Sequence, residues 1–255
     1  MRIGIDASNI RAGGGVNHLY NLLHFAEPEK YGINKIIVWG GKNPLESLSQ
    51  NTWLDLHEIP ALNQSLFKRL LWQQTKLGKL AHECCDLLFV PGGLYLGSFR
   101  PYVSMFQNMQ IFESKERNRE GFSKEWLRLR LLQWAQSRTF QDASGLICLS
   151  EYARNYLTQY HSFVTAQTPV QLIAHGTKKI QNEHSVSVIK KIPNYDTLKL
   201  LYVSTVKKYK HQWNLIDAVG LLRKEGIPIE LHLIGGGDSQ ALNLMLDAIH
   251  RNKSD

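Results

Sequence analysis

Short apolar, β-branched runs alternate with helical patterns along the whole chain. Their spacing predicts strands at residues 2–6, 35–39, 55–59, 86–91, 102–107, 145–150, 170–174, 198–204 and 229–234. Between them, apolar positions at helical spacing predict helices at 15–26, 65–83, 123–142, 151–161, 212–225 and 239–251. Nearly continuous apolar strands separated by helices imply an α/β fold built on a parallel sheet covered on both faces. Nothing repeats at a fixed period. The polar stretch 177–197, with Lys178, Lys179, Lys190, Lys191 and Pro193, interrupts the rhythm and reads as a linker. It divides the chain into a first domain at 1–176 and a second portion at 198–255. That second portion supplies two strands and two helices. Two parallel strands cannot bury both faces or cover their edges, so the expectation is a domain cut short.

Composition narrows the class without naming a function. The chain has 255 residues, 43% of them hydrophobic and 20% charged, as an ordinary globular protein has. Its formal net charge of +8 is spread out rather than clustered: residues 1–176 hold 18 basic and 14 acidic side chains. No nucleic-acid motif accompanies the excess, so no nucleic-acid partner is expected, and phosphate-bearing substrates suit it better. Cys84, Cys85 and Cys148 give neither a disulfide framework nor metal-ligand spacing, and read as buried thiols in a reducing compartment. The chain has no 18-residue apolar run, and its first apolar stretch carries Asp6 and lacks a signal-peptide core. The expected location is the cytoplasm.

Several turns carry candidate chemistry. The first strand empties into a turn ending Gly13-Gly14-Gly15 at the start of a helix, which allows close backbone approach to a phosphate or sugar. A flexible loop needing positive φ is the plainer account. The turn is not GxGxxG, and the second strand ends without a ribose-binding acid, which disfavours a dinucleotide dehydrogenase. The strand at 102–107 opens into Gln107-Asn108, on the strand-end side where open α/β sheets bind ligands. Neither amide can serve as a proton-transfer base, and an amide capping a loop is the alternative. Ser150 reads as a helix N-cap. The strand at 198–204 empties into Ser204 and Thr205, then Lys207, Lys208 and Lys210, just before a helix. Cations at a helix N-terminus are unfavourable without an anion nearby, so Lys210 points to an anionic ligand; a solvated lysine run is the bland reading. Gly235, Gly236 and Gly237 close the next strand, and Asp238 makes a good N-cap. The helix from Ser123 carries Trp126, Arg128, Arg130 and Trp134, with Leu127, Leu131, Trp134 and Ala135 on one face. Core packing is the commoner fate of such a face. Peripheral contact with the inner face of an anionic membrane is the other, and would suit a lipid-linked acceptor.

In their order and spacing these motifs resemble the retaining group-1 (family 4) glycosyltransferases of the GT-B architecture, over residues 1 to about 251. The resemblance implies two Rossmann-like domains with a nucleotide-sugar cleft between them: an acceptor-side domain at 1–176, then the beginning of a nucleotide-sugar-binding domain at 198–255. It implies transfer of a sugar from a nucleoside-diphosphate sugar to a glycan or lipid-linked acceptor, in the setting of bacterial surface polysaccharide synthesis. Gln107 and Asn108 stand where many members carry a histidine at the reaction centre. Gly14, Gly15, His175, Ser204, Thr205, Lys210, Gly235 and Gly237 match donor-binding positions, with Thr205 where an arginine is usual. The donor sugar nucleotide is the expected co-substrate and no further cofactor is implied. There is no Asp-x-Asp element, which fits a metal-independent transferase. The family's Glu, seven residues, Glu signature would fall beyond Asp255. The alternative is therefore a truncated, catalytically inactive acceptor-binding module or remnant of such an enzyme.

Overall fold

The computed structural model describes residues 1–119, 121–176 and 197–252. The chain divides into two compact units, Met1–Thr177 and Lys178–Asp255. All but the last residue of the expected linker, 177–197, lies outside the described residues.

The first unit is a seven-stranded parallel sheet. Its strands are β1 (Arg2–Ala7), β2 (Lys35–Gly40), β3 (Leu54–Glu58), β4 (Leu87–Val90), β5 (Tyr102–Phe106), β6 (Gly145–Cys148) and β7 (Val170–Leu172), in the order β3-β2-β1-β4-β5-β6-β7. The helices between them are α1 (Gly14–His24), α2 (Lys42–Glu46), α3 (Leu66–Trp72), α4 (Gly78–Cys84), α5 (Ser114–Asn118), α6 (Lys124–Gln141), α7 (Glu151–Tyr160) and α8 (Ser162–Thr165). The chain moves from β1 outward through β2 to β3, then returns to β4 on the other side of β1. The carboxyl ends of β1 and β4 therefore flank a topological switch point, where open α/β sheets bind their ligands.

Strand β2 shows why both faces must be covered. Ile37 and Trp39 enter one core cluster with Leu77, Ala81, Leu88 and Tyr102, while Ile36 and Val38 enter another with Ile5, Leu19 and Leu23. Alternate residues of a strand point to opposite faces, and here both sets are buried. Each such side chain contributes about 1.5–3 kcal/mol by leaving water. Gly4 lets β1 sit close to its neighbours, because a Cβ there would stand 2.7 Å from Trp39 and 2.8 Å from the Cys85 sulfur. A third cluster, with Phe106, Phe112, Leu129, Phe140 and Leu157, fills the β5–β6 end.

Several elements depart from the sequence expectation, among them the short helices α2, α5 and α8, where no helix was expected. The helix expected at 65–83 is interrupted by a π-helical turn at Gln73–Leu77 that separates α3 from α4. Helix α6 buries Leu129, Gln136, Ser137, Thr139 and Phe140. The apolar face expected to pack, Leu127, Leu131 and Trp134, is exposed instead, at 54%, 60% and 65%.

The second unit is smaller. Strands β8 (Leu198–Val203) and β9 (Ile229–Ile234) pair in parallel, and α9 (Gln212–Lys224) packs against α10 (Ser239–Asn252). Burial along β8 alternates, leaving Leu201 and Val203 exposed.

Candidate functional site

In the first unit the switch point is built around a buried carboxylate. Asp6, at the end of β1, is 1% exposed. Its Oδ1 accepts the Ser8 backbone N–H at 3.0 Å, and its Oδ2 accepts Gln73 Nε2 at 2.5 Å. Burial pushes its pKa up, and the bonds from Ser8 and Gln73 work against that rise. Gln73 opens the π turn and also donates to the Leu94 carbonyl at 2.8 Å. Single π turns occur frequently at functional sites. Arg69, one turn earlier on α3, donates Nη1 to the Ser8 carbonyl at 3.3 Å. The loop after β1 is thus held by α3, by the π turn and by the β4 exit, where Asn9 reaches Leu94 O at 3.4 Å.

That loop ends at α1, whose N-cap Gly13 sits at φ 66° and offers no side-chain cap. Nothing stands within 4 Å of a Cβ built on Gly13 or Gly14, so the helix start is open. One turn along α1, the ring of His18 lies 4.4 Å from that of His175 at 59°. Burial, then the charge of His175, depress the pKa of His18, and its Nε2 is buried without a hydrogen-bond partner. His175 thus packs against His18, one turn along α1 from Gly14 and Gly15. Gln107 and Asn108 lie at the end of β5. Gln107 Nε2 donates to the Pro91 carbonyl at 3.0 Å, and Asn108 Oδ1 accepts the Gln110 N–H at 3.1 Å, capping a short turn. The loop-capping role foreseen for an amide is the one Asn108 performs.

In the second unit the strand ends continue into paired loops. Ser204 N–H donates to Ile234 O, Val206 N–H to Gly236 O, both at 2.9 Å. A Cβ on Gly235 would lie 2.0 Å from Ser204 O, and one on Gly237 1.9 Å from Val206 O. Gly235 also holds φ at 146°, a region closed to L side chains. Close approach of the two loops thus explains both glycines without a ligand. Gly236, in contrast, faces open space.

The lysine turn has a similar division of labour. Asp238 caps α10 by accepting the Ala241 N–H at 2.9 Å and pairs with Lys207 at 3.4 Å. The Ala241 bond, then Lys207, hold the Asp238 carboxyl below its usual range. Lys210 meets only the Tyr209 ring, 5.4 Å away, with no carboxylate partner among the described residues. It leads into His211 at φ 53°, an uncommon value outside glycine, which caps α9 without a side-chain bond. Gln212, 2% exposed, ties the helix start back to the Thr205 carbonyl at 3.0 Å. Ser204, Thr205, Lys210, Gly235 and Gly237 are thus neighbours in one loop pair.

Sequence reasoning missed His18, Arg69 and Gln73. The one available signal was Asp6, a carboxylate inside an apolar strand, which demands buried donors from elsewhere. Among the described residues, no helix is long and apolar enough to cross a membrane, and no cluster of three or more His, Cys, Asp or Glu could hold a metal.

The first unit is therefore a Rossmann-like parallel α/β structure with its open loops at the strand carboxyl ends. No protein-family model matches the chain, and no curated protein matches it in sequence. Among solved structures, a glycosyltransferase from Rickettsia africae ESF-5 is similar to it, with a TM-score of 0.56 and 12% sequence identity. The alignment covers 99% of this chain and 65% of that one, so this chain spans about two thirds of that protein's length. At this identity the likeness is one of fold.

Proposed function

We propose that the chain is a glycosyltransferase that moves a sugar from a nucleoside-diphosphate sugar to a glycan or lipid-linked acceptor, as in bacterial surface polysaccharide synthesis. The observation that carries this reading is the turn at 204–211. It pairs an uncapped helix start with Lys210, a cation that has no carboxylate partner among the described residues. Such a turn suits a diphosphate, through free N–H groups and full positive charge. In this reading Ser204 and Thr205 add neutral hydrogen bonds, and Gly14, Gly15 and His175 line the donor side of the first unit. Transfer is retaining and metal-independent, with the donor phosphate accepting the acceptor's proton. Gln107 Oε1 and Asn108 Nδ2, which make no protein hydrogen bond among the described residues, orient the reacting hydroxyl. The exposed apolar face of α6, flanked by Arg128 and Arg130, provides for peripheral contact with an anionic membrane that carries the acceptor.

A second reading is an acceptor-binding module without catalysis. It is favoured by Gly235 and Gly237 having structural roles of their own. A panel of nucleoside-diphosphate sugars decides between them, with nucleoside diphosphate release as the readout. Consumption of one donor is expected. Lys210→Gln should weaken nucleotide affinity roughly tenfold or more while leaving Tm unchanged. Binding without turnover would favour the module, and failure to bind any donor would overturn the transferase.

A further inference from the structure

Helix α7 carries a row of rings that the proposed reaction does not use. Tyr152, Tyr156 and Tyr160 stand four residues apart, so they share one face of the helix, each about 6 Å further along its axis. Their ring centroids lie 6.0 and 4.8 Å apart, tilted by 44° and 45°. Tyr152 and Tyr160 are each 60% exposed, while Tyr156 is half-buried and rests on the core cluster at the β5–β6 end. The rings therefore form a continuous strip. Tyr31 and Phe67 are more exposed, yet neither touches another ring among the described residues.

One end of the strip is tied to the loops after the strands. The Tyr152 hydroxyl donates to Glu113 Oε1 at 2.6 Å. Glu113 follows the short turn that Asn108 caps at the exit of β5, and α7 starts at the exit of β6. Because β6 and β7 are parallel, α7 must carry the chain back towards the other end of the sheet. The strip thus begins at the rim where Gln107 and Asn108 sit and leads away from it over the surface of the first unit.

Its composition indicates what it meets. The exposed face of α6 holds Leu127 and Leu131 beside Trp134, and suits hydrocarbon. On α7 the exposed large apolar side chains are tyrosines alone, and the exposed polar positions of the same helix are Glu151, Asn155, Thr158 and Gln159. An aromatic ring carries negative charge on its faces and attracts the C–H bonds of a pyranose face. Carboxylate, amide and hydroxyl side chains beside it can bond the sugar's hydroxyls. A helix step of about 6 Å between rings is close to the length of one sugar unit.

We infer that the tyrosine strip of α7 is an extended acceptor subsite, on which successive units of a linear glycan stack as the chain leads away from Gln107 and Asn108. That the glycan is the acceptor rests on the transferase reading. It then follows that the acceptor is already several units long, and not a single lipid-linked sugar.

Fluorine NMR of the full chain labelled with fluorotyrosine tests it. The probes are linear oligosaccharides, from disaccharide to hexasaccharide, in α- and β-linked glucose, galactose, mannose, rhamnose and N-acetylglucosamine series. One series is expected to shift the Tyr152, Tyr156 and Tyr160 signals, with affinity rising as the oligosaccharide lengthens. Tyr160→Ala, at an exposed position far from the rim, should weaken the longer members roughly fivefold and leave the disaccharide unchanged. Tyr160→Phe, which keeps the ring, should restore the length dependence. Unmoved tyrosine signals in every series, affinity independent of length, or full affinity in Tyr160→Ala would each overturn the subsite. So would phosphatidylglycerol vesicles shifting these signals where no glycan does, which would make the strip a membrane contact. Release of nucleoside diphosphate with water as acceptor separates the two readings. Donor consumption beside a silent strip removes the subsite and keeps the transferase. Glycan stacking without consumption of any donor keeps the platform and favours the binding module.

Discussion

The two units use the same strand-and-helix grammar with very different amounts of cover. In the first, β2 is buried on both faces and three core clusters run from β3 to β7. In the second, the residues of β8 are half-buried and exposed in turn, and the two strands present Leu201, Val203 and Ile234 at 65%, 67% and 56% exposure. The first unit is held by side chains leaving water. The second depends more on backbone ladders, helix caps and the close fit of glycines. Burial scales with size, and a two-stranded unit has little interior to fill.

The sharpest way to break this contrast is Gly237→Ala. A Cβ 1.9 Å from the Val206 carbonyl must separate the loops. Loss of hydrogen-exchange protection across 198–240 is expected, a cost above about 3 kcal/mol, with β1 to β6 still protected. Next in size is a matched pair of leucines. Leu88→Ala, at 0% exposure, should cost about 2–5 kcal/mol in denaturant unfolding, whereas Leu201→Ala should stay within about 0.5 kcal/mol. Equal costs would mean that the open face of β8 is covered in solution.

Acid gives the smallest effect, and its sign differs between Asp6 and Asp238. Asp6 has a raised folded pKa, so its burial penalty is present at neutral pH and is relieved as pH falls through that value towards 3.8. Asp238 has a lowered folded pKa. Its contribution, about 1 kcal/mol as a helix cap, is complete above 3.8 and is lost as pH falls through the folded value. Exchange measured from pH 7 down to 3 should therefore show the start of α10 loosening while the carboxyl end of β1, around Asp6, holds. Simultaneous loosening would contradict the assignment.

All nine strands among the described residues could be read from the sequence, because runs such as Ile36–Trp39 are apolar enough to be strands buried on both sides. Their order in the sheet could not, since it is set by which helices cross which face. The face of α6 was misread: helical periodicity marks an apolar stripe, but the cover available near β5 and β6 took Leu129 and Phe140 instead. Lys210 stood out through helix-end electrostatics. Arg69 and Gln73 did not, because nothing local distinguishes a surface arginine from one drawn inward by the Ser8 carbonyl 61 residues away, or a surface glutamine from one drawn inward by the Asp6 carboxylate 67 residues away.

The ladder that continues past β8 and β9 also bears on motion. Ser204 is fastened to Ile234, and Val206 to Gly236 and Gly237, before any ligand arrives. The turn leading to Lys210 is therefore ordered by the folding of its own unit, and the anion proposed to bind there would meet a loop whose conformational entropy is already lost. On the proposed reading, affinity at this turn and stability of the small unit would rise and fall together. A change that loosens the ladder, even far from Lys210, would be felt as weaker binding, and a tight ligand would raise the temperature at which the unit melts.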